Sequence, residues 1–165
     1  MPSGPFLDLS DSLVALARDY QAALIVNDRV DVARLSGAAG VHVGQEDLPP
    51  AVAREQLGQA AIVGYSTHSL SQLEAALLEA ISYVAVGPVF GTTTKDTGYN
   101  AVGLDLVAAA VRMAGPIPVV AIGGVTLDNA RSAIDAGAAA VAVISDLVTG
   151  SDPEARVKAY LQALA

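Results

Sequence analysis

Gly37-Ala38-Ala39-Gly40-Val41-His42-Val43-Gly44-Gln45-Glu46-Asp47 holds a helix stop, a short strand and a polar tail in one run. Gly37 suits the position just past a helix, where a left-handed backbone costs glycine least. Val41–Val43 is a β-branched run, and the residues after it turn polar. The phrase returns as Gly137-Ala138-Ala139-Ala140-Val141. A repeated step from helix to strand predicts βα units and hence a parallel sheet. Crossovers between such strands are nearly always right-handed.

Working outward, similar apolar runs fall at Ala23–Val26, Ala61–Val63, Tyr83–Val86, Val119–Ile122 and Val141–Ile144. Most are continuously apolar, as expected of strands buried on both faces. Helical patterns lie between them. Asp11–Tyr20 has Leu13, Leu16 and Ala17 on one face, with Ser10 or Asp11 as N-cap. Val30–Ser36 stops at Gly37, and Pro49–Leu57 starts on proline and stops before Gly58. Ser69–Ala80, Leu104–Met113, Leu127–Ala136 and Pro153–Leu164 complete the set. The reading is a single domain over residues 1–165, with no linker and no low-complexity segment.

Composition narrows the class. The chain has 165 residues, 53% apolar and 16% charged, which excludes a disordered chain. Its net charge of −8 supplies no basic footprint for nucleic acid. No cysteine is present, so disulfides and thiolate metal sites are excluded. No apolar run approaches the ~20 residues of a membrane span. The N-terminus has Asp8 and Asp11 in place of the basic start of a signal peptide. A soluble cytoplasmic protein is expected.

Polar residues follow nearly every strand: Asn27-Asp28, Gln45-Glu46-Asp47, Ser66-Thr67-His68, Thr92-Thr93-Thr94-Lys95, Gly123-Gly124 and Ser145. Chemistry gathered at the C-terminal strand ends is the mark of the TIM (β/α)8 barrel. A doubly wound sheet would carry a Gly-rich turn after its first strand, where this chain has Asn27-Asp28-Arg29. The expected fold is therefore an α/β TIM-type barrel. Only six strands are visible, and a full barrel needs about 200–250 residues.

Each polar cluster has a chemical and a structural reading. Gly123-Gly124 is either an anion-binding turn or simply a tight turn. Ile144-Ser145 at the next strand end tips it toward phosphate, and the helix beyond supplies amides and a positive dipole end. The loop from Gly91 to Gly98 offers hydroxyls and the Lys95 ammonium to a diphosphate, or is a linker. Asp28 and Asp47 follow adjacent strands and suit Mg2+, or cap the helices after them. His42, flanked by Val41 and Val43, reads as a satisfied core residue rather than a catalyst. His68 at a strand end serves either a site or a helix start. Ser66 lacks the turn of a nucleophile elbow, so no covalent catalysis is expected.

Several of these segments together resemble the thiamine-phosphate synthase family. They are Asn27-Asp28-Arg29, Gly40-Val41-His42-Val43-Gly44-Gln45-Glu46-Asp47, Gly64-Tyr65-Ser66-Thr67-His68-Ser69, Gly87 to Lys95 and Ala121-Ile122-Gly123-Gly124-Val125. They run in order from Ala22 to Ser145. The resemblance extends to a thiazole tautomerase of the same superfamily. It implies a (β/α)8 barrel that joins hydroxymethylpyrimidine diphosphate to thiazole phosphate, releasing diphosphate by a dissociative, Mg2+-assisted step. It implies Asp28 and Asp47 as Mg2+ ligands, with Asn27 beside the diphosphate. Ser66, Thr92, Thr94 and Lys95 would hold phosphates and the loop, Ser66 and Lys95 acting catalytically. Gly124, Ile144 and Ser145 would hold the thiazole phosphate.

Two departures from the family pattern stand out. Gly91 replaces a proline ahead of the Thr-x-Thr-Lys motif. The family's first two strands, the second bearing a Gln-x-Arg-x-Lys cluster, have no counterpart in this sequence. Exposed parallel strand edges would then favour self-association into a homo-oligomer. The alternatives to synthesis are a thiazole phosphate tautomerase and a non-catalytic phosphate-ligand-binding fragment of the same fold.

Overall fold

A helix, α1 (Ser3–Asp19), leads into an alternation of strands and helices. They are β1 (Ile25–Asn27), α2 (Val30–Ser36), β2 (Gly40–Val43), α3 (Pro50–Leu57), β3 (Ile62–Thr67) and α4 (Leu70–Ala76). There follow β4 (Tyr83–Val86), α5 (Gly103–Ala114), β5 (Val119–Ile122), α6 (Leu127–Asp135), β6 (Ala140–Ala142), α7 (Ser145–Val148) and α8 (Pro153–Leu164). The computed structural model describes residues 2–92 and 99–165. It divides into two compact units: the residues up to Ser66 with Ala76–Tyr83, and Thr67–Ala75 with the residues from Val84 onward.

The expected parallel pairing is present in both units. In the first, β1, β2 and β3 lie in chain order, with Val26 opposite Val41 and Val41 opposite Val63. In the second, β4, β5 and β6 do the same, with Ala85 opposite Val120 and Val120 opposite Ala140. Alternating parallel strands and helices make this the α/β class of the TIM barrel, with six βα units among the described residues.

Each unit closes its own aliphatic core. Val26, Val30, Val32, Ala33, Val41, Val43, Ala53 and Val63 are buried together in the first, with Phe6, Leu7 and Tyr65 packed against them. Val125, Ala130 and Tyr160 centre a core in the second, covered by Phe90, Leu127, Val141, Val143, Leu147 and Leu164. Gly37 ends α2 at φ +65°, and Gly137 follows α6 at φ +100°. The repeated Gly-Ala phrase thus does the same job twice, turning a helix end into a strand.

Three expectations need correction. α1 starts at Ser3 after Pro2, not near Asp11. The Ser10 hydroxyl donates to the Phe6 carbonyl at 2.8 Å, one turn back, so it sits inside the helix and does not cap it. Phe6, Leu7, Ser10 and Val14 define the inward stripe, which leaves Leu13 and Leu16 exposed. Secondly, β3 runs on to Thr67, whereas β6 stops at Ala142. Thirdly, residues after β6 form a single helical turn, α7, that the sequence patterns did not suggest.

Candidate functional site

The candidate residues fall into two groups, one in each unit. In the first unit they sit where β1, β2 and β3 end. Asn27 closes β1 opposite His42 in the strand register, and Asp28 follows it. The Asp28 amide donates to the His42 carbonyl at 2.8 Å, which carries strand pairing one residue further. Asp28 has φ +62°, a left-handed backbone that non-glycine residues rarely adopt. Such strain gathers at functional sites, where the surroundings hold it in place. Arg29, not Asp28, occupies the N-cap position of α2.

Asp47 follows β2 through a tight turn. Its Oδ2 accepts the Gly44 amide at 2.7 Å, and its own amide donates to the Gly44 carbonyl at 3.3 Å. Pro49 is the N-cap of α3, so Asp47 does not cap that helix. The carboxylate is half-buried and aligned by the turn. Two hard oxygen donors at the ends of neighbouring strands fit a cation that keeps several waters, as Mg2+ does. No cluster of three or more His, Asp or Glu side chains suited to a metal occurs among the described residues.

Ser66 is held from both sides. Its Oγ lies 2.8 Å from His42 Nε2, and its carbonyl accepts the Gln45 side-chain amide at 2.7 Å. His42 Nδ1 lies 2.9 Å from the Tyr83 hydroxyl, and the rings of His42 and Tyr83 stack at 5.6 Å. Hydroxyl, imidazole and phenol can each donate and accept, so this chain can hold a proton in either direction. Burial raises the Tyr83 pKa, so the phenol keeps its proton. A Cβ on Gly64 would lie 2.1 Å from Tyr83 Cζ and 2.5 Å from His42 Nδ1. Glycine at this position makes the room in which the pair stacks. His42 is thus the satisfied residue that the sequence suggested, and it also orients Ser66.

In the second unit, Gly123 and Gly124 form the turn after β5, at φ +93° and +64°. A Cβ on Gly124 would lie 2.4 Å from the Gly91 carbonyl oxygen. The turn is therefore pressed against the chain at Phe90-Gly91, and the Phe90 amide donates to the Gly123 carbonyl at 3.0 Å. Asn129 stitches the start of α6. Its Nδ2 donates to the Gly124 carbonyl at 3.0 Å, and its Oδ1 accepts the Thr126 amide at 2.8 Å. Ile144 and Ser145 are exposed at the start of α7. Thr92 is half-buried. Thr94 and Lys95 lie outside the described residues.

His68 belongs to this unit. Its Nδ1 donates to the Gly87 carbonyl at 2.6 Å, and its ring stacks on Tyr99 at 3.9 Å. Gln72 joins the pair, accepting the His68 amide and donating to the Tyr99 hydroxyl. A neutral His68 thus keeps its acceptor lone pair on Nε2.

Sequence reasoning missed Tyr83 and the Asp146–Arg156–Tyr160 group. Arg156 grips Asp146 with two nitrogens, at 2.7 and 3.1 Å, and Tyr160 donates to the same carboxylate. This guanidinium and then the phenol hold the Asp146 pKa down at about 2. Burial, then the Asp146 carboxylate, push Tyr160 far above the ordinary phenol range. An acidic residue directly after Ser145 was the available signal.

The profile of the thiamine monophosphate synthase family, TMP-TENI, matches residues 1–147. A thiamine-phosphate synthase of Thermosynechococcus vestitus is 44% identical over 158 residues, which are 96% of this chain and 44% of that protein. A thiamine-phosphate synthase of Koribacter versatilis is 47% identical over 144 residues, 87% of this chain and 67% of that protein. The solved thiamine phosphate pyrophosphorylase from Pyrococcus furiosus superposes with a TM-score of 0.88 at 34% identity, covering 100% of this chain and 80% of that one. The chain thus spans between under half and four fifths of the length of the proteins it matches. A profile match over most of the chain, with this identity and superposition, means that the chain belongs to the thiamine monophosphate synthase family.

Proposed function

We propose that the chain is a transferase that joins hydroxymethylpyrimidine diphosphate to thiazole phosphate, forming thiamine phosphate and releasing diphosphate. The observation that carries this reading is the grouping of Asp28, Asp47 and an oriented Ser66 at consecutive strand ends. Asp28 and Asp47 would hold Mg2+, which supplies positive charge for a departing diphosphate. Asn27 and the Ser66 hydroxyl donate to diphosphate oxygens. Thr92, Thr94 and Lys95 serve the same group, Lys95 as a point charge and catalyst. Gly124, Ile144 and Ser145 receive the thiazole phosphate.

The bond-forming step removes no proton by a general base, so the protein's part is positioning and charge stabilisation. His42 keeps the Ser66 hydroxyl aimed, and Tyr83 and Gly64 keep His42 in place. The reading also has the protein act in the cytoplasm. Separately, no helix among the described residues is long and apolar enough to cross a membrane. Self-association belongs to the same reading. Val148, Leu161 and Ile144 are apolar side chains left 69%, 68% and 57% exposed, which a second copy would cover. Light scattering that finds only monomer at high concentration would contradict it.

The test of the main reading is direct. Both substrates and Mg2+ are incubated with the protein, and thiamine phosphate is sought by mass spectrometry. Product whose formation stops when Mg2+ is chelated is expected. No product at any protein concentration overturns the proposal. A second reading, thiazole phosphate tautomerase, draws on His68, whose Nδ1 is held by the Gly87 carbonyl and whose ring stacks on Tyr99. Following aromatisation of the thiazole carboxylate by NMR separates the two.

A further inference from the structure

Asp146, itself in α7, accepts hydrogen bonds from two other helices, α6 and α8. Leu127, the first residue of α6, donates its amide to Oδ2 at 3.1 Å. From α8, Arg156 Nη2 reaches Oδ1 at 2.7 Å and Nε reaches Oδ2 at 3.1 Å. The Tyr160 hydroxyl, also from α8, donates to Oδ2. Asp146 itself stands in α7, directly after Ser145. α6 begins just beyond the Gly123-Gly124 turn, and α7 begins at Ser145. One carboxylate therefore ties together the two turns assigned above to the thiazole phosphate.

Charge alone argues against an aspartate there. A carboxylate next to a phosphate dianion repels it, and the repulsion grows as water is excluded. The structure answers this with a bidentate guanidinium and a buried phenol on the same carboxylate. Neutralising a charge so thoroughly makes sense when the side chain is wanted for its geometry. A neutral brace between helices would have needed neither Arg156 nor the phenol.

We propose that Asp146 is a positioning residue for the substrate phosphate: braced by Arg156 and Tyr160, it sets the spacing between the Gly124 and Ser145 turns. The inference rests on the placement of thiazole phosphate at those turns. Asp146, Arg156 and Tyr160 touch no substrate in this assignment and act through the backbone of the two turns.

The two roles of Asp146 predict opposite signs. Removing its charge, taken alone, strengthens phosphate binding, whereas loosening the turns weakens it. Asp146→Asn keeps the shape and loses the guanidinium pair. It is expected to raise KM for thiazole phosphate about tenfold, with KM for the pyrimidine diphosphate and saturated kcat within about twofold of wild type. Calorimetric titration of thiazole phosphate alone should show the same loss of affinity. Tyr160→Phe keeps the packing and drops one donor; a loss of about threefold, confined to thiazole phosphate, is expected. It supplies the same readout if Asp146→Asn does not fold. Thiazole phosphate binding as tight as wild type, or tighter, in both variants overturns the inference, as does an equal loss for both substrates. If wild type binds thiazole phosphate and the variants bind it equally well, the site reading survives and only the inference falls. If wild type turns over both substrates but variants at Gly124 and Ser145 leave KM for thiazole phosphate unchanged, the site reading falls and takes the inference with it.

Discussion

Gly64→Ala is the smallest change that should disturb the candidate site. The added Cβ would stand 2.1 Å from Tyr83 Cζ, 2.3 Å from its hydroxyl oxygen and 2.5 Å from His42 Nδ1. Contact at ordinary van der Waals range begins near 3.4 Å, so the overlap exceeds an ångström at the phenol carbon. The glycine lies in the middle of β3, whose backbone is tied to β2, and cannot retreat. Tyr83 must move instead. Overpacking of this kind costs about 1–3 kcal/mol. Losing the hydrogen bond between the phenol and His42 adds roughly 0.5–1.5 kcal/mol. A destabilisation of about 2–4 kcal/mol is therefore expected.

The chain has no tryptophan, so urea unfolding is best followed by far-UV circular dichroism. The free-energy change comes from the shift in midpoint at constant slope. The control is Tyr83→Ala, alone and combined with Gly64→Ala. With the ring gone, the new methyl has space, so the double variant should be more stable than the sum of the singles by at least about 1 kcal/mol. Activity gives a second readout, since a displaced His42 releases Ser66; kcat should fall roughly tenfold or more. A Gly64→Ala variant within about 0.5 kcal/mol of wild type, or a strictly additive pair, would refute the packing argument.

Other outcomes follow from the same structure. Asp146 has its pKa lowered from 3.8 to about 2, so its contribution to stability is complete above pH 3.8 and is lost as pH falls toward 2. Asp146→Asn should lower stability at pH 7 by roughly 1–2 kcal/mol and flatten the acid limb of the stability curve, measured by urea titration at several pH values. Gly124→Ala puts a Cβ 2.4 Å from the Gly91 carbonyl at φ +64°, and a destabilisation of about 2 kcal/mol or more is expected in the same assay. Asp28→Asn and Asp47→Asn should each raise the Mg2+ concentration for half-maximal activity about tenfold; a curve unchanged by both variants would remove them as ligands.

Local chemistry wrote much of the fold openly. Gly37 and Gly137 mark helix ends because only a residue without Cβ takes φ +65° or +100° at little cost. The valine runs mark strands because they are buried on both faces, as β2 and β4 are. α1 departs from its sequence pattern for a tertiary reason. Leu13 and Leu16 satisfy a helical period, but the core takes the stripe through Phe6, Leu7 and Val14. The strand-end candidates were legible because the class puts chemistry there. Their supports were not. Tyr83 lies far along the chain from His42, and Asp146 meets Leu127 only once α6 and α7 are folded. Sequence spacing carries no trace of such pairs.

The acidic balance bears on how the site must work. Both proposed substrates are anions, and the chain has nine basic side chains against seventeen acidic ones. At least six of the basic side chains are engaged among the described residues. Arg29 pairs with Asp31, Arg131 with Asp135, Arg156 with Asp146 and Lys158 with Glu154. Arg34 bonds Gln56, and Arg54 donates to the carbonyls of Gln59, Ala61 and Ala80, ahead of β3 and β4. Arg54 therefore serves the N-terminal strand ends, opposite to the ends where Asp28, Asp47 and Ser66 stand. On the proposed function, anion binding at the C-terminal ends would then rest on hydroxyls, backbone amides, Lys95 and a divalent cation. A site built that way should lose little affinity in moderate salt, because few mobile surface charges contribute to it. Substrate KM values that hold nearly constant between low and physiological ionic strength, at fixed free Mg2+, are the expected result. A steep rise with salt would mean that side-chain cations carry the binding after all.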